Sequence, residues 1–167
     1  LATGLRRPRR QVPGTDLAGV VEAVGSAVTD LAPGDARLGW SHGAFAELAA
    51  VPAAQLVRKP AGITFEAAAA VGVSAVTALG LLRDDGKVRP GMTVLINGAS
   101  GGVGSYAVQV AKALGATVTG VASTRNLELV RALGADDVID YTTTDFTAGD
   151  RRWDLVLDNV GNHSLPR

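Results

Sequence analysis

Between Asn97 and Gly104 the sequence reads Asn-Gly-Ala-Ser-Gly-Gly-Val-Gly, a spacing suited to holding phosphate. A pyrophosphate needs a tight turn after a strand, a backbone bare enough for close approach, and a helix N-terminus with unpaired N–H groups and a positive dipole end. Gly101 and Gly102 supply the approach, and Gly104 lets the helix pack on its strand. In the strict G-x-G-x-x-G register the first position is Ala99, with Gly98 one residue earlier. Because 21 glycines generate chance matches, the flanking pattern must carry the reading, and a strand-to-helix turn without ligand is the plain alternative. About 20 residues further on, an NAD site places Asp or Glu against the ribose. Here the sequence runs Ala122-Ser123-Thr124-Arg125-Asn126, without an acid. Hydroxyls and a guanidinium bind a 2′-phosphate that a carboxylate would repel, so NADPH is the expected cofactor. Arg125 could otherwise be a solvated residue in the first turn of a helix, although a cation there opposes the dipole.

These residues need elements to place them. Met92 to Ile96 is an apolar run of the kind found in a strand buried on both faces. From Gly101 to Leu114, Val103, Ala107, Val110, Ala111 and Leu114 form a helical stripe, and Gly115 supplies the stop. Strands are expected at 117–122, 138–139 and 154–158, with a helix through Leu127, Val130 and Leu133. This alternation is the first half of a doubly wound parallel sheet. Upstream, the Gly- and Pro-rich stretch from Pro13 to about Pro60 reads as short antiparallel strands, at Gly19-Val20-Val21, Val24-Gly25 and Glu47 to Val51. An alanine-rich helix from Thr64 to Arg83 follows, capped by Thr64, with Glu66 in its first turn and a break near Gly72.

The 167 residues suffice for one ordinary domain or parts of two. Sixteen basic residues balance sixteen acidic ones, which gives no electrostatic case for nucleic acid or an anionic membrane. The one basic cluster, Arg6, Arg7, Arg9 and Arg10, reads as a solvated segment. No uninterrupted apolar run approaches the ~20 residues that span a bilayer. Without cysteine there are no disulfides and no thiolate metal sites, and His42 and His163 lack a third plausible ligand, so no metal site is expected.

Gly14 to Val21, Pro33-Gly34-Asp35, Gly43 to Glu47, Thr77-Ala78-Leu79, Gly98 to Gly104 and Val138 to Tyr141 together resemble the successive signatures of medium-chain dehydrogenases/reductases. The likeness is to their zinc-independent quinone oxidoreductase and enoyl reductase branch. It runs from about Val12 to Asn162. It implies an α/β fold in which residues 1–64 are a partial GroES-like catalytic domain and residues 65–167 a partial NADP-binding Rossmann domain. By this resemblance Thr77 and the loop Ser100, Gly101, Gly102, Val103 and Gly104 contact the cofactor. Ser123, Arg125 and Tyr141 surround the adenosine phosphate, and Val160 and Gly161 approach the nicotinamide. Zinc-dependent relatives carry Gly-His-Glu where this chain has Gly14-Thr15-Asp16, and Asp16 is expected to be structural.

The implied reaction is metal-free transfer of hydride from NADPH to a quinone, enone or enoyl substrate, with no identifiable proton donor. A cytoplasmic location is expected, and a homodimer is left open for the full-length protein. One rival is the enoyl reductase domain of a polyketide or fatty-acid synthase, which pairs a lysine with an aspartate. Asp136 resembles that aspartate, but Asn126, Leu127 and Leu129 occupy the lysine's region. The other rival is an NADPH-binding fragment without turnover.

Overall fold

A computed structural model describes residues 12–162. The arginine cluster at 6–10 and His163 lie outside the described residues. The chain divides into two compact units, Leu1–Val73 and Ser74–Arg167.

In the first unit β1 (Asp16–Val20), β2 (Ala36–Trp40) and β3 (Leu56–Arg58) form an antiparallel sheet in that order. Asp16 pairs with Trp40, and Leu38 with Val57. Of the three expected strands only the first corresponds to one of these. Val24-Gly25 and Glu47–Val51 are irregular, and Leu48 is 71% exposed. The run Leu-Ala-Ala-Val lacks the polar alternation that sets a half-buried strand's register, and Leu56-Val57-Arg58 is too short to show any. Gly39 admits this pairing, since a Cβ there would stand 2.0 Å from the Gln55 carbonyl oxygen.

Helix α1 (Phe65–Leu79) begins in the first unit and ends in the second. Thr64 caps it, accepting from the Ala67 N–H at 3.2 Å. The expected break at Gly72 does not occur. The helix continues to Leu79 and loosens into a π-helical turn only at Gly80–Asp85. At Gly72 the lack of a Cβ admits the Asp16 carboxylate, whose Oδ1 accepts from the Val73 N–H. The stretch Phe65–Asp85, which contains an 18-residue window of mean hydropathy 1.8, is long and apolar enough to cross a membrane by length and composition alone. The count of uninterrupted apolar residues passed over it, because Ser74, Thr77 and glycines punctuate it. Ala78 and Leu82 are packed into the second unit's core.

The second unit carries β4 (Thr93–Asn97), α2 (Gly102–Ala113), β5 (Thr117–Ala122), α3 (Leu127–Ala132), β6 (Asp137–Asp140) and β7 (Leu155–Asp158). Its sheet is parallel throughout, in the order β6-β5-β4-β7. Val94, Leu95 and Ile96 are wholly buried, as their unbroken apolar run requires. Ala107, Val108 and Ala111 of α2 pack with Val94, Ile96, Val118 and Val130 in one core cluster. Both helices end in Schellman turns. Gly115 (φ +83°) and Gly134 (φ +106°) donate to the carbonyls of Lys112 and Arg131, and Ala116 and Ala135 to those of Ala111 and Val130. The antiparallel sheet followed by a parallel one matches the expected fold class.

Candidate nucleotide site

The parallel sheet brings the carboxyl ends of its four strands to one edge, where the glycine loop leaves β4. Gly98 turns the chain at φ +78° and Gly101 opens α2 without a side-chain cap for the first N–H groups of the helix. Gly104 is buried and lies so close to the turn that a Cβ would stand 2.1 Å from the Gly98 carbonyl oxygen. Gly101 and Gly102 are exposed, Ser100 and Val103 half-buried. A bare backbone at an uncapped helix end is the arrangement a pyrophosphate fits.

At the ends of β5 and β6 an open hollow of about 270 Å³ is lined by Ser123, Thr124, Arg125 and Tyr141. Three of these were expected at the adenosine phosphate, and the fold gathers them although Tyr141 is distant in sequence. Its N–H donates to the Ala122 carbonyl at 3.2 Å. Arg125 is exposed, and none of the ion pairs among the described residues uses it. The nearby Asp140 carboxylate is engaged elsewhere. It accepts from the hydroxyls of Thr124 and Thr142, in that order the chief reasons its carboxyl lies below the usual range.

Sequence reasoning missed the residues that tie these parts together. The Asn126 side chain donates to Ser100 Oγ at 3.1 Å and Ser123 Oγ at 3.4 Å, joining the glycine loop to the hollow. Asn97, 4% exposed, donates to Asp158 and Asn162 beside Val160 and Gly161. Thr77 is exposed on α1, and it is Ser74 whose hydroxyl lies 3.2 Å from where a Gly102 Cβ would be. Only long-range partners distinguish these polar side chains, and periodicity carries no trace of them.

Asp136 lies at the opposite edge of the sheet, before β6. Its two oxygens accept from Lys112 Nζ at 2.8 Å each, and Oδ2 also accepts from the Val118 N–H at 2.7 Å. The Lys112 bond first, then that of Val118, holds the carboxyl below its usual range. Such a group stabilises the fold above its unfolded pKa of about 3.9, and the contribution is lost as pH falls through the folded value. With 35% and 40% of the two side chains exposed, the pair contributes roughly 1 kcal/mol or less. In urea unfolding, Asp136→Asn should therefore be less stable than wild type near neutral pH, with the gap closing as pH falls through the carboxyl's lowered range. A gap that does not change with pH would rule out the ionised pair as the cause.

Residues 2–61 match the family model described as alcohol dehydrogenase GroES-like domain, and residues 102–167 the one described as zinc-binding dehydrogenase. The chain is 41% identical over 170 residues to the Arabidopsis thaliana chloroplastic NADPH-dependent alkenal/one oxidoreductase, covering 92% of this chain and 43% of that protein. It is 40% identical over 161 residues to the pikromycin polyketide synthase component PikAII of Streptomyces venezuelae, covering 92% of this chain and 4% of that protein. The Escherichia coli quinone oxidoreductase solved with NADPH superposes with a TM-score of 0.76 at 35% identity, covering 80% of this chain and 42% of that one. The chain belongs to the medium-chain dehydrogenase/reductase superfamily, in its quinone oxidoreductase-like branch. It spans about two-fifths of the length of the free-standing relatives it matches.

The described residues offer no fitting donor set for the zinc in one family's description. Among the described residues no three His, Asp or Glu side chains converge, Thr15 stands in place of a histidine, and Asp16 is bonded to the backbone at Val73.

Proposed function

We propose that the chain is the nucleotide-binding part of an NADPH-dependent oxidoreductase that reduces an enone, quinone or enoyl substrate without zinc. The observation that carries the cofactor choice is the hollow at the ends of β5 and β6, where two hydroxyls, a phenol and an exposed guanidinium converge and no carboxylate lines the wall. The NADPH in the E. coli relative's structure and in the Arabidopsis relative's name supports the same choice. Gly101, Gly102 and the N–H groups of the first turn of α2 would take the pyrophosphate, and Ser123, Thr124, Arg125 and Tyr141 the 2′-phosphate. Bound NADPH would supply a hydride to the β-carbon of an unsaturated carbonyl or to a quinone. The glycine loop and hollow fix where the dinucleotide lies, which is the positioning that such a transfer requires. The proton that completes the reduction is not assigned to a side chain of this chain.

The engagement of Asp136 by Lys112, at the edge away from the glycine loop, supports a free-standing reductase over the synthase domain that uses an aspartate with a lysine. It leaves open a protein that binds nucleotide without turnover. Fluorescence titration should give NADPH binding at least about tenfold tighter than NADH, since one charged hydrogen bond contributes roughly 1.5–3 kcal/mol. Equal affinities would overturn the cofactor choice. The purified chain should contain no stoichiometric zinc, and its NADPH affinity should be unchanged by a chelator. Stoichiometric zinc in metal analysis would refute the metal-free reading.

A further inference from the structure

In the order β6-β5-β4-β7 the chain leaves β4 for β5 and β6 on one side and then crosses to β7 on the other. In open parallel sheets a ligand sits at such a reversal, outside the carboxyl ends of the strands. With the phosphate hollow on the β5 side, the second half of a dinucleotide must run over the β7 side. There the loop 159–162 is held by a small polar knot. Asp158 Oδ1 accepts from the Val160 and Gly161 N–H groups, each at 3.0 Å, and from Asn97 Nδ2 at 2.9 Å. The same Asn97 nitrogen donates its other hydrogen to Asn162 Oδ1 at 3.1 Å. The Asn97 carbonyl accepts from the Asn159 N–H at 3.2 Å. Asn97 is 4% exposed, and a Cβ on the adjacent Gly98 would stand 2.9 Å from Val160 Cγ2. The knot thus joins the start of the glycine loop to the start of the β7 loop.

We infer that Asn97 and Asp158 are positioning residues for the nicotinamide half of the cofactor, fixing the Val160–Gly161 backbone at a set distance from the glycine loop. This rests on the NADPH reading above. A loop already ordered by four hydrogen bonds spends no binding free energy on ordering when the nicotinamide arrives. A loop released from them does. The knot acts on one half of the dinucleotide only, and that gives it a signature which general damage to the fold lacks.

The test compares NADPH with 2′,5′-ADP, which has the phosphate-bearing adenosine half alone, on wild type, Asn97→Ala, Asp158→Ala and Asp158→Asn. Both alanine variants should weaken NADPH about tenfold while 2′,5′-ADP changes less than about twofold. Asp158→Asn keeps an oxygen for the two backbone N–H groups and should recover most of the loss. Amide hydrogen exchange at Val160 and Gly161 should be faster in Asn97→Ala without any nucleotide. Equal losses for the two nucleotides, unchanged NADPH binding, or unchanged exchange at both amides would each overturn the inference. Wild type that binds neither nucleotide would instead defeat the NADPH reading itself.

Discussion

Arg125→Ala should lower NADPH affinity about tenfold to a hundredfold and leave NADH binding where it was. The guanidinium is exposed at the rim of the hollow shared by Ser123, Thr124 and Tyr141, and no ion pair among the described residues competes for it. Its position in the 3₁₀ turn before α3 sets it against the positive end of that helix, a cost that a bound dianion would reverse. Removing a charged donor costs roughly 1.5–3 kcal/mol where its partner is present and nothing where the partner is absent. Dissociation constants for both nucleotides, wild type against variant, give the answer. An unchanged ratio would make Arg125 a solvated residue and leave the 2′-phosphate to the hydroxyls. Because the hollow is open to solvent, the wild-type preference should also shrink as salt rises.

Gly104→Ala should destabilise the second unit by about 3 kcal/mol, at the upper end of what overpacking costs, and abolish nucleotide binding with it. Its added Cβ meets only backbone, at 2.1 Å from the Gly98 oxygen, 2.8 Å from the Gly98 carbonyl carbon and 2.9 Å from the Ala99 Cα. Side chains can rotate away from such a clash, but backbone cannot, so α2 must lift from the turn. Gly101→Ala is the instructive contrast. Gly101 has φ −78°, which alanine adopts without strain, and its nearest neighbour is at 3.3 Å. That variant should keep its urea midpoint yet lose pyrophosphate affinity, because the methyl projects where the ligand approaches. If Gly104→Ala unfolds at the wild-type urea concentration, the close packing of helix on loop is not needed for stability.

The second unit was far more legible in the sequence than the first. Continuous burial writes itself as Val94-Leu95-Ile96, and the glycines at 115 and 134 mark helix ends because only the left-handed region closes a Schellman turn. In the first unit β3 is three residues long and follows a short 3₁₀ turn, too little for periodicity to register. The break expected at Gly72 read a glycine as a helix breaker when its role is to admit Asp16. In the candidate site, residue types revealed the glycine loop and Arg125, whose chemistry is local. The links made by Asn97 and Asn126 were invisible, because an amide's partners 26 to 65 residues away leave no mark on its neighbours.

The strand order also sets a sequence of events during folding. Pairing Thr93 with Thr117 closes a short loop, whereas pairing Val94 with Leu155 closes one roughly two and a half times longer, at an added entropic cost of about 0.8 kcal/mol. Burial offsets this only in part at β7, where Leu155 and Leu157 pack on the core while Val156 remains 53% exposed. The β4–β5–β6 sheet with its two helices is therefore expected to condense first, and β7 to dock onto that template afterwards. On a ribosome the hollow lined by Ser123, Thr124, Arg125 and Tyr141 can form while the polypeptide beyond Thr144 is still being synthesised. The opposite rim, tied to Asp158, waits for β7 to arrive.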